Sequence, residues 1–401
     1  MTPLSSKARS LPHAGEPAPD ANARGPAWLA LGFRPFFLLA GAFATVAVPL
    51  WLLVFFGRVT LPLRVYPAAW HAHEMLFGFV VAVIAGFLLT AVRNWTSRPT
   101  PSGSLLGALA GLWLLGRVAM SIAGLLPAPV APIVDLAFVP ALALAIGVPI
   151  VRAKNWRNLA FIPLLLMLFG ANLAFHLNSS TRLLRFALDV IVVIVLVVGG
   201  RVIPMFTGNA IKMEVRKRPW LDWASVVAMA PVALFDLVPG GERGYAFAAI
   251  AAGVLAFARM TTWRTSKTRT LPIVWVLHVS WAWIALGLVL QGAAVFVPQW
   301  PSTAPMHAVA VGAVSTMILG MMTRVSLGHT GRMLVVPRSI TFGYVVLTFA
   351  ALARALGPLV LPRLYVTWLV SSGIAWGIAF AIFTVVYLPI LGTPRVDGKP
   401  G

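Results

Sequence analysis

Hydrophobic residues in this chain come in long runs separated by short polar breaks. The runs cover Pro35–Phe56, His73–Val92, Leu105–Leu126, Val130–Val151, Leu159–His176, Leu183–Phe206, Leu221–Val238, Tyr245–Thr262, Leu271–Val297, Pro305–Val325, Ile340–Leu356 and Leu364–Leu391. A helix that crosses a bilayer needs about 20 predominantly apolar residues. The pattern therefore predicts twelve transmembrane helices and an all-α integral membrane protein. Arg354 and Arg363 blur the limits of the last two spans. Little chain is left over: residues 1–28 read as a disordered tail, 29–392 as one twelve-helix membrane domain, and 393–401 as a short second tail. The first tail is rich in Pro, Ala and Ser and lacks the basic start and short apolar core of a signal peptide.

Composition agrees. Of 401 residues 60% are hydrophobic and 10% charged, whereas a soluble domain carries roughly a quarter charged residues. The formal net charge is +21, which in a soluble protein would point to nucleic acid. Here the distribution explains it. The amino-terminal side, the even-numbered connections and the carboxy-terminal tail hold 23 of the 31 basic residues, and the odd-numbered connections hold seven. That asymmetry predicts both termini in the cytoplasm, with lipid as the surrounding partner and no nucleic acid. The chain has no cysteine. Disulfides, iron–sulfur clusters and covalent c-type haem are thereby excluded, and any metal must be held by His, Met, carboxylate or backbone.

This topology gathers the histidines. His71 and His73 open the second span, His176 closes the fifth and His307 opens the tenth, so four of the seven lie at the outer face. His278 lies inside the ninth span, His329 in a cytoplasmic loop and His13 in the tail. Ionisable residues at membrane depth usually mark function, and neutral imidazole is a common ligand of iron and copper. In Trp70-His71-Ala72-His73-Glu74-Met75 a helix sets His71 and His73 about 200° apart. They cannot chelate one metal from one face. His71 shares its face with Glu74, which predicts a carboxylate orienting that imidazole, while His73 is free to serve another centre. Two centres, or one centre and a support, both satisfy this pattern.

An internal repeat adds to it. A shift of 234 residues lays the tenth span on the second and matches His73 with His307, Gly78 with Gly312, Val80 with Val314, Ile84 with Ile318, Gly86 with Gly320, Thr96 with Thr330 and Arg98 with Arg332. The sixth span, ending Gly199-Gly200-Arg201, reads as a weaker third copy. The fold is then three pseudo-repeats of four helices, with the matched histidines facing each other. On the opposite face Arg34, Arg93, Asn94, Arg201, Asn209 and Arg324 form a second polar group, read either as interfacial anchors or as an anion site.

Several blocks resemble a known family. They are Gly32-Phe33-Arg34-Pro35-Phe36-Phe37, Trp70 through Gly78, Gly86 through Thr96, Met306-His307-Ala308 and Met321 through Arg332. Together they are similar to the signatures of the NnrS family from about residue 29 to 390, with a departure at Arg93, where the family pattern has proline. The resemblance implies a twelve-helix bacterial inner-membrane protein with haem and copper, associated with denitrification and resistance to nitric oxide. It does not by itself assign ligands. From depth and repeat, the expected arrangement is non-covalent haem b on His73 and/or His307. His71, supported by Glu74, and His176 are the copper candidates, and nitric oxide or a related small molecule the ligand. Two rival functions remain: an enzyme that reduces nitric oxide, distantly like the haem–copper oxidases, and a metal-free secondary transporter using Arg201, Asp189 and Asp135 as pathway charges.

Overall fold

The computed structural model describes residues 26–399 apart from residue 217. The expected disordered tail, His13 included, therefore lies almost wholly outside the described residues. Twelve helices are long and apolar enough to cross a membrane, and no strand occurs among the described residues. They are α1 (Phe33–Phe55), α2 (Pro67–Thr96), α3 (Gly103–Ser121), α4 (Val130–Arg152), α5 (Trp156–Asn178), α6 (Thr181–Ile211), α7 (Pro219–Leu237), α8 (Glu242–Thr261), α9 (Pro272–Ala294), α10 (Thr303–His329), α11 (Arg338–Val360) and α12 (Pro362–Gly392). Every span read from hydropathy has its helix. The main difference lies at α2, which starts at Pro67 and so takes His71 and His73 into its second turn.

Proline placement explains several starts: Pro67, Pro219, Pro272 and Pro362 stand at the first helical positions, where the missing N–H leaves no bond unmade. Consecutive helices pack on one another, and α12 closes back on α1. Trp376 donates its indole N–H to the Ala44 carbonyl across that closure at 3.0 Å. In the most apolar stretch of α10, 94% of residues are buried, and in that of α2, 83%; α9 and α6 follow at 67% and 61%. The more peripheral helices expose residues such as Ile133, Leu144, Leu166 and Val385, as lipid contact requires.

The second and tenth helices share more than sequence. Each changes from α to π winding just after its histidine, over Glu74–Val80 and over Ala308–Ser315. Under the 234-residue shift these two segments coincide almost residue for residue. Wider winding leaves backbone carbonyls without their usual partners, and neighbours supply donors. The Trp113 indole donates to the Gly78 carbonyl at 3.0 Å, and the Ser280 hydroxyl donates to that of Ala313 at 2.8 Å. Matched glycines meet equivalent neighbours too: Gly78 and Gly86 lie against Phe43 and Phe37 of α1, while Gly312 and Gly320 lie against Trp283 and Val276 of α9. The pairs α1–α2 and α9–α10 are thus structural counterparts. α6 is α-helical throughout and does not share the π turn.

All described odd-numbered connections reach one face of the bundle and all even-numbered ones the other; we call them the odd-loop and even-loop faces. Close packing of α8 on α9 gives a direct check on this arrangement. A side chain at Gly253 would meet the Ala285 carbonyl oxygen at 2.7 Å, whereas one at Gly111 meets nothing. Gly253→Leu is expected to lower the melting temperature in detergent substantially, at a cost of about 1–3 kcal/mol, and Gly111→Leu to leave it nearly unchanged. Equal melting of the two variants would contradict the packing.

Candidate metal centre at the odd-loop face

One buried polar cluster joins four helices at the odd-loop end. Glu74 and His73 come from α2, Arg117 from α3, Asp135 from α4, and Asn172 and His176 from α5. Apolar walls surround it: Phe77 packs on the His73 ring and Phe175 stacks against it, with centroids 5.0 and 5.3 Å away. His73 and Glu74 are fully buried, and Arg117, Asp135 and Asn172 nearly so.

Arg117 is the hub. Its Nη1 donates to Glu74 Oε1 at 2.7 Å and its Nη2 donates to Asp135 Oδ1. His73 lies between the same carboxylates: Nδ1 contacts Glu74 Oε1 at 3.0 Å, and Nε2 lies 2.9 Å from Asn172 Oδ1 and 3.2 Å from Asp135 Oδ2. Asp135 Oδ2 also accepts from Asn172 Nδ2 at 2.7 Å and meets His176 Nε2 at 2.9 Å. Two carboxylates against one guanidinium leave the cluster one positive charge short. In a site closed to water that deficit is costly, so it is filled by a proton on an imidazole or by a bound cation.

His73, Asp135 and His176 each present one ligand atom, and these atoms lie within 4.8 Å of one another. Two imidazoles and a carboxylate form an N₂O donor set suited to copper or zinc. Behind it, Glu74 accepts from His73 Nδ1 and is itself held by Arg117, the usual way in which a carboxylate fixes the tautomer of a ligating imidazole.

The sequence expectations need two corrections here. Glu74 orients His73, not His71, because the cationic Arg117 and the adjacent imidazole both draw the carboxylate inward. His73 and His307 also do not face each other. His307 instead shares Thr303 with Arg354 and lies within electrostatic range of His71, which packs on Trp51 of α1. His71 stacks on Trp51 with centroids 4.1 Å apart, and its Nδ1 is buried without a partner. His307 Nδ1 contacts the Thr303 carbonyl at 2.6 Å, which leaves Nε2 for another ligand. Arg354 Nη2 donates to Thr303 Oγ1 at 3.2 Å, while its Nη1 is buried and unpartnered.

The two other histidines among the described residues have structural partners. His278 lies between Thr207 Oγ1 and Thr265 Oγ1 at 2.8 and 2.9 Å. His329 ends α10, rather than lying in a loop, and packs on Phe33. At the even-loop face the polar residues divide among separate neighbours. Arg34 donates to the carbonyls of Leu391 and Thr393 at the end of α12. Arg324 sits over the Phe206 ring at 3.7 Å, and Arg201 reaches Asn158 at 3.4 Å. Arg93 is half-buried, and Asn94 and Asn209 are exposed. For Arg34, Arg201 and Arg324 these contacts fit anchoring of helix ends better than one shared anion site. Of the transporter charges, Asp135 belongs to the His73–His176 cluster, Arg201 to this anchoring face, and Asp189 lies apart from both.

Arg117 and Asn172 were missed as site residues by sequence reasoning, and Asp135 entered only as a transport charge. A usable signal existed: Arg117 is a charge inside a span and needs a partner, Asp135 lies at matching depth, and Asn172 shares a helical face with His176. Arg117→Met is expected to destabilise the folded protein by about 3–5 kcal/mol by leaving two buried carboxylates without their cation. Adding Glu74→Gln should recover part of the loss. Thermal unfolding in detergent reads both, and a fully stable Arg117→Met protein would refute the hub.

No curated protein matches the chain. The sequence profile described as NnrS protein matches residues 27–395; with the twelve-helix fold and the histidine-bearing helices in place, the chain belongs to the NnrS family.

Proposed function

We propose that this chain is a haem- and copper-binding protein of the bacterial inner membrane that takes nitric oxide or a related small molecule in the response to nitrosative stress. The observation that carries the reading is the His73–Asp135–His176 cluster with its Glu74–Arg117 support. The surplus of basic residues toward the even-loop side supports placing this cluster in the outer half of the membrane.

Copper fits the cluster by donor chemistry. His73, His176 and Asp135 would hold it, Glu74 would keep the His73 ring in register, and Arg117 would balance the second carboxylate. The copper's positive charge would fill the deficit that the protein groups leave. Haem b fits His71, His307 and Arg354 by their unpartnered atoms. His71 and His307 each offer a ring nitrogen with no protein partner, and Arg354 Nη1 offers a buried donor suited to a propionate. Bound there, haem supplies an iron that takes nitric oxide reversibly. The protein's share is to keep water out, hold the imidazole orientations and supply the propionate's counter-charge.

Metal analysis and absorption spectra of the purified full-length protein test the reading. His73→Ala and His176→Ala should each lower copper at least tenfold while sparing the Soret band. His71→Ala and His307→Ala should shift or abolish that band while sparing copper. Undiminished copper in both of the first pair would remove the assignment of the cluster, and a wild-type protein without a Soret band would remove the haem. Nitric oxide added to the reduced wild-type protein should shift the Soret band.

A further inference from the structure

The middle group of helices carries a third buried charged set that neither proposed metal site uses. A cavity of about 250 Å³ opens at the odd-loop face between α6, α7, α8, α9 and the start of α10. Its deepest acid is Asp189 on α6, only 4% exposed. Among the described residues Asp189 makes no hydrogen bond or ion pair, and its Oδ2 is buried without a partner. One turn nearer the mouth on the same helix is Arg185, but that guanidinium is committed to Asp236 Oδ1 and lies over the Tyr245 ring. Asp236 in turn keeps its Oδ2 buried and unpartnered. Two carboxylate oxygens thus remain without partners in a cavity whose nearest cation is already engaged.

Charge and lining select the occupant. The charged residues around the cavity are Asp189, Asp236 and Glu242 against Arg182 and Arg185, one positive charge short. An unpartnered carboxylate away from water carries a penalty of several kcal/mol, so the site is stabilised by whatever cation enters. The Tyr245 hydroxyl, which donates to Gln291 Oε1 at 2.6 Å, retains a lone pair for an N–H donor. The rest of the wall is apolar, with Leu188, Phe235 and Met306 among its residues. A bare metal ion needs several oxygen ligands and gains nothing from that wall. A primary ammonium group uses both parts.

We infer that this cavity is a binding site for a small organic monocation bearing N–H donors, a primary alkylammonium, held by Asp189 and the unpartnered oxygen of Asp236. None of its charged residues belongs to the histidine groups, and it adds a ligand class to the protein. The fold gives it a place: each group of four helices carries one buried charged set at the odd-loop end, on Arg117 in the first, on Asp189 in the second and on Arg354 and His307 in the third.

Isothermal titration of n-butylammonium into the purified full-length protein tests the assignment, with tetramethylammonium as a cation lacking N–H donors and n-butanol as a neutral chain. Wild type should bind n-butylammonium at least tenfold more tightly than either control. Asp189→Asn should weaken that binding at least tenfold, and Ala294→Phe, which fills the cavity without altering its charge, should do the same. Both variants should melt no lower than wild type, Asp189→Asn higher because it removes an unpaired buried charge, and both should keep the wild-type metal content. Absence of n-butylammonium binding to wild type would mean that a proton neutralises Asp189 and would overturn the assignment. Equal binding of tetramethylammonium, or undiminished binding by a folded Asp189→Asn or Ala294→Phe protein, would overturn it as well.

Discussion

The odd-loop half of the first helix group depends on one guanidinium. Arg117 reaches across α2 and α4 to two carboxylates that water cannot stabilise, and it thereby sets where Glu74 and Asp135 point. Once Glu74 is drawn to Arg117, its shared oxygen fixes the His73 ring; once Asp135 is drawn the same way, its second oxygen is left for His176 and Asn172. A buried ion pair adds little net stability compared with apolar packing, yet removal of one partner is severe. Such a pair is therefore better understood as a device that specifies geometry. It aligns two imidazoles from helices 2 and 5 on one carboxylate from helix 4.

The π turns work at the level of the backbone. In α2 and α10 they follow immediately after His73 and His307, so each histidine stands on an ordinary helical turn while the segment beneath it is rotated. Donors from α3 and α9 occupy carbonyls in these turns, which makes the irregular winding affordable in a low-dielectric interior. The two counterpart helices then diverge in use. The α2 copy feeds its histidine into a carboxylate-rich cluster, and the α10 copy feeds its own toward His71, Trp51 and Arg354. One backbone device thus supports two different side-chain environments, because the neighbours differ.

Much of the fold was legible from hydropathy because the constraint is one-dimensional. A bilayer demands a minimum length of apolar helix, and each of the twelve runs meets it within a single segment. Depth was legible for the same reason: counting residues from a span end places His71, His73, His176 and His307 at one face. Family membership also resided in contiguous blocks. The partner of Glu74 was not legible, since helical spacing favoured His71 while a charge on α3 decided for His73. The relation of His73 to His307 was not legible either, as a repeat fixes equivalence between helices but not which side chains meet.

By itself, then, the sequence determined the helix count, the common depth of the histidines, the even number of crossings that returns both ends to one face, and the kinship of α2 with α10. Each of these follows from the order of residues along one helix. Only the tertiary structure decided that Arg117, Asp135 and Asn172 join His73 and His176, that His71 stacks on Trp51 while His307 and Arg354 share Thr303, and that Asp189 lines a cavity with no partner of its own. Those outcomes depend on the rotation of one helix against another, which a few buried charges and two π turns set and which no single segment encodes.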